Sequence, residues 1–262
     1  MAAIAAVKKA GRGFITNLYS SPEQLDYWAG KGSLVIATDR AMLLWRRDRD
    51  FAHLYYFAAD TAALDSALGG RERPGIEVVD LVGREPETAP LAELFKRHGF
   101  AQRTRLVRLV RAASGQERPQ DSEFAQDTEA QPILAMLEWS FDRYAEQLPD
   151  LAEILAAVRA KQVLVVREKS QIAGLLYFEL AGLTARVRYW LVQESHRDRK
   201  VGSRLMHGFF AQSAGARRFL LWVLEDNATA IERYRHYGFA PDGLLDRVMM
   251  SAGPHEWKAR PG

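Results

Sequence analysis

Seven consecutive residues, Arg197-Asp198-Arg199-Lys200-Val201-Gly202-Ser203, gather three cations, a glycine and a small hydroxyl residue between two apolar runs. The run before them reads "ARVRYWLVQ" and the run after them "RLMHGFFAQSAGA", so the turn leads from an expected strand into an expected helix. The first amides of a helix have no partners inside it, and the helix dipole adds partial positive charge there. Such a turn suits an anion, phosphate above all. Gly202 removes a side chain where a ligand would approach closely. A solvated basic turn ahead of a surface helix explains the same residues, so the loop alone is a weak signal. Downstream, "NATAIERYRHYGF" sets Asn227 and Tyr234 seven positions apart, nearly two helical turns, so both project from similar faces. Asn227 suits an N-cap. Tyr234 offers a hydroxyl that can give up a proton, or simply an aromatic ring at the edge of a core.

These residues need strands and helices to position them. In the second half, "QVLVVREK", "QIAGLLYFELA" and "ARVRYWLVQ" read as antiparallel strands preceded by a helical stretch from Ile133 to Ala160 that breaks near Pro149. The basic turn and its helix follow, then the strand "RRFLLWVLED", the helix that Asn227 caps and Gly238 ends, and a closing strand "LDRVMMS". The first half runs in the same order. "SLVIATD", "RAMLLWRR" and "HLYYFAAD" are strands, "TAALDSALGG" a helix, "GIEVVDLVG" a strand, "PLAELFKRHGF" a helix and "TRLVRLVRA" a strand. Ser21, Pro22 and Gly30 mark a further early helix. The endings "LFKRHGFAQ" at 94–102 and "RYRHYGFAP" at 233–241 nearly coincide, with Phe95 where the second copy has Tyr234. The reading is one design used twice, with residues 1–112 and 129–262 as domains and the polar stretch 113–128 as linker.

The bulk properties agree with two modest globular domains. The 262 residues are 48% hydrophobic and 26% charged, enough for real cores. A net charge of +3 favours an anionic ligand mildly and argues against a nucleic-acid partner. The absence of cysteine excludes disulfides, thiolate metal sites and a cysteine nucleophile. The six histidines have no ligand-like spacing, so no metal is expected. No run approaches a membrane span, and the opening "MAAIAAVKKAGRGF" has the wrong charge order for a secretion signal, so a cytoplasmic protein is expected.

Strand, basic glycine loop, helix, strand and N-x-x-A-x-x-x-Y-x-x-x-G-F together resemble the GNAT superfamily of acyl-CoA-dependent N-acyltransferases, strongly over residues 160–250. The resemblance implies an α+β fold, layered, with two GNAT-like domains, each a mixed, mainly antiparallel central sheet flanked by helices. It implies that the amides of Arg197, Asp198, Arg199, Lys200, Val201, Gly202 and Ser203 grip the diphosphate of coenzyme A, with Lys200 standing where the family signature has its first glycine. It further implies that the backbone of Trp190, Leu191 and Val192 pairs with the pantetheine arm and that one amide there polarises the thioester carbonyl. Asn227 matches the residue that contacts that arm, and Tyr234 the residue that protonates the departing thiolate. Residues 1–112, with Phe95 for Tyr234 and no basic glycine loop, resemble a degenerate copy that lost its cofactor.

The activity so implied is transfer of an acetyl group from acetyl-CoA to a primary amine of a small molecule or a protein, by direct attack in a ternary complex. Trp222 stands five positions before Asn227, where many family members carry a carboxylate, and is read as core. The general base is left open among Glu179, Glu194, His196 and Asp226. A protein that binds coenzyme A or another anion without catalysis is the competing reading. A homo-oligomer is compatible with everything read.

Overall fold

A computed structural model describes residues 4, 7–8, 13–19, 25, 28, 34–71, 75–113, 123–169, 171–197 and 199–251. The early helix marked by Ser21, Pro22 and Gly30 falls almost wholly outside the described residues, as do residues 114–122 of the expected linker and Asp198. The chain forms two compact units, residues 1–106 with 243–262, and residues 107–242.

The first unit contains strands β1 (Ile15–Thr16), β2 (Leu34–Ala37), β3 (Ala41–Asp48), β4 (Phe51–Ala58) and β5 (Ile76–Gly83). Helix α1 (Thr61–Gly69) joins β4 to β5, and helix α2 (Glu85–Arg97) follows β5 into β6 (Phe100–Ala112). The last strand of the chain, β12 (Ala240–Ser251), joins this unit from Gly243 onward and pairs antiparallel with β5, Leu245 opposite Gly83 through Met250 opposite Val78. The sequence assigned this strand to the second domain. Nothing in its pattern distinguishes one apolar partner edge from another. Residues Leu43, Tyr56, Leu64, Leu81, Phe95 and Met249 are among those that close one core of this unit.

The second unit contains β7 (Glu123–Phe124), helices α3 (Ala130–Ser140) and α4 (Leu151–Arg159), β8 (Val163–Glu168), β9 (Gln171–Ala181), β10 (Thr184–Val192), helix α5 (Val201–Gln212), β11 (Arg218–Leu224) and helix α6 (Ala228–His236). β7 pairs with β8, so the end of the expected linker is an edge strand. The sheet order is β6-β11-β10-β9-β8-β7. One face carries the core of α5 and α6, with Leu205, Phe209, Phe219 and Tyr234. The other carries the core of α3 and α4, with Ile133, Leu137, Ile154 and Tyr189. Asp150 caps α4 by accepting from Glu153 N at 2.8 Å, and its own N–H donates to the Glu153 carboxylate at 2.8 Å. The helical stretch predicted from Ile133 onward instead stops at Ser140, and Phe141 to Asp150 form a connecting segment. Gly174 lets α5 seat on β9, because a Cβ there would stand 2.8 Å from Val201 Cγ1.

The two "GFA" endings share a physical cause. Gly99 has φ +76° and Gly238 φ +83°, the left-handed geometry that glycine adopts without penalty. The bonds around them match: His98 N donates to Phe95 O and Gly99 N to Lys96 O, as Tyr237 N donates to Tyr234 O and Gly238 N to Arg235 O. Both halves of the chain therefore run strand, helix, parallel strand, helix, glycine turn, strand. Among the described residues, no helix is long and apolar enough to cross a membrane.

Candidate functional site

β10 and β11 are parallel partners over four residue pairs only, Thr184 with Arg218 through Val187 with Leu221. β10 continues to Val192 and β11 to Leu224 without further pairing, so the two strands part into a wedge. The cause lies on the other edge of β10. Val187 pairs with Phe178 on β9 and Tyr189 with Tyr177, leaving Arg188 as an extra, bulged residue. The bulge shifts the side-chain parity. Ala185 and Val187 face the α5–α6 core, and after the bulge Trp190 and Val192 do so, while Tyr189 and Leu191 face α3 and α4. Gln193 N donates to Ala173 O of β9. By the two-residue alternation of a strand, the peptide groups of Trp190 and Val192 point to the vacated edge and that of Leu191 to β9.

α5 begins beside this wedge. Its first intrahelical bond runs from Arg204 N to Lys200 O at 2.9 Å, so the amides of Val201, Gly202 and Ser203 have no helical acceptor. Lys200, its N-cap, gives no side-chain hydrogen bond to them, whereas Asp60, Asp150 and Asn227 each cap their own helices. Lys200 holds φ +58° and ψ 12°, the left-handed region, which accounts for the glycine expected at this position. Lysine here costs about 1 kcal/mol relative to glycine. Arg197 pairs with Glu194 at 3.2 Å and Arg199 with Glu168 at 2.9 Å, so neither guanidinium is held over the helix start by the loop alone. Ser203 Oγ lies 3.2 Å from His207 Nδ1. Gly202 has a structural duty that its sequence context did not suggest. A Cβ there would sit 3.0 Å from the Trp190 ring.

Trp190 links this helix start to Tyr234. Its ring centroid lies 5.3 Å from that of Tyr234 and 5.8 Å from that of Tyr237, and its Nε1 is buried without an acceptor among the described residues. Tyr234 itself is 7% exposed. Burial pushes its hydroxyl well above the usual phenol range, and the nearby Glu146 carboxylate pushes it further the same way. It therefore keeps its proton at any neutral pH. Asn227 lies at the exposed start of α6, where its Oδ1 accepts from Ala230 N at 3.0 Å.

The first unit has the same wedge, and there the chain fills it. β4 and β5 pair over three residues, Phe51 with Ile76 through His53 with Val78, then separate. β3 covers one edge of β4 along its whole length, so β1 can reach β4 only on the edge that β5 leaves. There Ile15 pairs with Ala58 and Thr16 with Phe57. Asn17 closes the gap: its amide donates to Leu54 O on β4 and Asp80 O on β5, 3.1 Å each, and its carbonyl accepts from Tyr56 N at 2.7 Å. At the start of α1 the carboxylate of Asp60 takes Ala63 N at 2.8 Å, where the second unit has free amides. No such plug is found in the second unit's wedge among the described residues.

The general-base candidates from sequence fare differently. Glu179 is held by Arg188 at 2.8 Å, Glu194 and Asp226 are exposed, and His196 lies 3.8 Å from Glu168. Trp222, expected in the core, is half-buried, with the Arg108 guanidinium 5.9 Å over its ring. Glu146, whose carboxyl burial pushes up to about 7, was not among the candidates. It lies in the segment between α3 and α4 that the sequence presented as part of a helix, and "DRYAEQ" carries no motif to single it out.

Residues 130–239 match the model of the acetyltransferase (GNAT) family. A GCN5-related N-acetyltransferase from Sphaerobacter thermophilus superposes with a TM-score of 0.57 at 14% identity, over 95% of this chain and 90% of that one. A GCN5-related N-acetyltransferase from Kribbella flavida gives 0.53 at 16%, over 91% and 98%. A tandem GNAT protein from the clavulanic acid biosynthesis pathway gives 0.56 at 14%, over 83% and 80%. At these identities the likeness is one of fold. No curated protein matches the sequence. The parted strands and the uncapped helix lie within residues 130–239, the stretch that matches the acetyltransferase (GNAT) family model, and the fold is shared with GNAT structures that include a tandem one.

Proposed function

We propose that the second unit transfers an acetyl group from acetyl-CoA to a primary amine of a small molecule or protein, by direct attack in a ternary complex, and that the first unit binds no cofactor. The observation that carries this reading is the open wedge between β10 and β11 beside an uncapped helix start. The residues suit the donor. The free amides of Val201, Gly202 and Ser203, with Lys200, Arg197 and Arg199 around them, would take the diphosphate. The peptide groups of Trp190 and Val192 on the vacated edge would pair with the pantetheine arm as one strand pairs with another. Bound there, acetyl-CoA supplies an activated acyl group on a thiol leaving group.

The chain's own residues do the rest. A backbone N–H of the β10 edge steadies charge that develops on the carbonyl oxygen. Tyr234, kept protonated by burial, gives its proton to the departing sulfur. Trp190 packs on both Gly202 and Tyr234 and so sets their spacing. The filled wedge of the first unit, with Asn17 bridging β4 and β5 and Asp60 on the start of α1, supports a single cofactor site per chain.

The test is release of free thiol from acetyl-CoA by the full chain with a panel of primary amines: polyamines, amino sugars, aminoglycosides and lysine-containing peptides. Amine-dependent release above hydrolysis is expected. Tight coenzyme A binding with no release for any amine would favour the non-catalytic binding protein instead.

A further inference from the structure

We propose that Glu146 is the general base of the second unit, taking the proton from the acceptor ammonium; this rests on reading that unit as an N-acyltransferase. The argument starts from the segment Phe141–Asp150, which joins α3 to α4 and is fastened at several points. Glu146 N donates to Asp142 O at 2.9 Å, and Tyr144 N to the Asp142 carboxylate at 3.0 Å. From β10, the buried Tyr189 hydroxyl meets the carbonyl oxygens of Glu146 and Gln147, 2.9 Å each. The Arg188 guanidinium lies 3.3 Å from Gln147 O while pairing with Glu179. Arg188 is the bulged residue, so one irregularity both opens the wedge and holds this segment against the strand.

Gln147 pays for the arrangement with φ +45°, a left-handed geometry that is strained for a residue with a side chain. Backbone strain of this kind persists where surrounding contacts over-determine it, and it gathers at functional positions. The contacts here include those from Arg188 and Tyr189, and they hold the backbone of Glu146 and Gln147.

The carboxylate is placed and tuned for proton transfer. One oxygen accepts from Asp142 N at 2.9 Å, and the other has no partner among the described residues. Its charge is felt by Tyr234 and by Tyr189, which sets it within electrostatic reach of the phenol that serves the sulfur. Among the described residues, the groups coupled to it by charge are Asp142 on its own segment, Tyr189 on β10 and Tyr234 on α6, and Tyr189 in turn has Arg188, paired with Glu179, and Arg186 beside it. Burial pushes the Glu146 carboxyl up to about 7, with the Asp142 charge acting the same way and the Asp142 amide against it. A base is most effective near the working pH. Glu179, by contrast, is occupied by Arg188.

The proton ledger closes. Glu146 takes one proton from R–NH3⁺. The amine lone pair forms the C–N bond as the C–S bond breaks, and Tyr234 gives its proton to sulfur. The nitrogen's surplus proton returns to the phenolate, and Glu146 releases its own to solvent. The products are an amide, a free thiol and one proton.

The test compares wild type, Glu146→Gln and Glu146→Asp, using thiol release from acetyl-CoA with the amine panel from pH 5 to 9, and calorimetry with coenzyme A. The ligand-free protein, labelled with ¹³C in its glutamate carboxyls, is titrated in parallel. Wild type should lose rate below about pH 7. Glu146→Gln should lose at least about 100-fold together with that acidic limb and keep coenzyme A affinity within about twofold, while Glu146→Asp recovers part of the rate. One glutamate resonance titrating near 7, absent from Glu146→Gln, is expected without any ligand. Glu146→Gln with near-normal rate and an unchanged limb overturns this assignment and leaves the acyltransferase reading standing. Wild type inert with every amine overturns that reading and Glu146's role with it.

Discussion

Replacing Tyr234 with phenylalanine removes one oxygen and separates packing from chemistry. The first unit indicates that the ring alone is tolerated. Phe95, the equivalent residue, is fully buried, 5.9 Å from Tyr56 and 5.2 Å from Phe100. Tyr234 lies 5.3 Å from Trp190 and 6.0 Å from Phe239 in the matching arrangement. Among the described residues no protein hydrogen bond supports the Tyr234 hydroxyl, so its loss leaves none of them unpaired, and stability should change by less than about 1 kcal/mol. If the hydroxyl protonates the leaving thiolate, kcat should fall about 10²- to 10⁴-fold, about 3 to 5 kcal/mol in the barrier. Stopped assays of thiol release give kcat, calorimetry gives coenzyme A affinity, and urea unfolding gives stability. A kcat within about threefold of wild type removes the hydroxyl from the reaction. A stability loss above about 2 kcal/mol would show that the residue is structural and that any rate loss comes from disorder.

Three more outcomes follow from the same geometry. Glu146→Gln should make the protein more stable above pH 7 and not at pH 4: the folded carboxyl titrates near 7 against an ordinary 4.5, so wild type loses folding energy as pH rises between these values, up to about 3 kcal/mol by linkage. Parallel urea curves across that pH window would expose the error. Asn17→Ala strands the Tyr56 amide and two carbonyls in the first unit and should cost about 3 kcal/mol, read as a lowered unfolding midpoint; a loss below about 0.5 kcal/mol would mean that the bridge contributes nothing. At the left-handed position before α5, Lys200→Gly should be more stable than Lys200→Ala by about 1 kcal/mol, and equal midpoints would contradict the strain assigned there.

The readable parts of the sequence were those with local causes. Asn227 caps a helix because its side chain can accept from Ala230 N, and Gly99 and Gly238 stop helices because they alone enter the left-handed region freely. Such choices involve neighbours within a few residues, so they leave a local trace. The bulge at Arg188 leaves none: an apolar-polar alternation reads through it, and the reversal of faces at Tyr189 and Trp190 becomes visible only against β9. The membership of β12 in the first unit was hidden for the same reason, since β5 lies some 160 positions away in sequence. Asn17 was invisible as a bridge, because its partners Leu54, Tyr56 and Asp80 are all remote. Glu146 was missed because its environment, not its residue type, gives it its chemistry.

On the proposed function, the wedge of the second unit, and it alone, holds the acyl donor. Calorimetric titration of coenzyme A into the full chain and into Gly202→Val tests it directly, since a Cβ at 202 would already stand 3.0 Å from the Trp190 ring and valine adds two methyl groups beyond it at the uncapped start of α5. One coenzyme A per wild-type chain and a loss of binding of at least about tenfold in the variant are expected. Two molecules per chain, or undiminished binding to Gly202→Val, would contradict it.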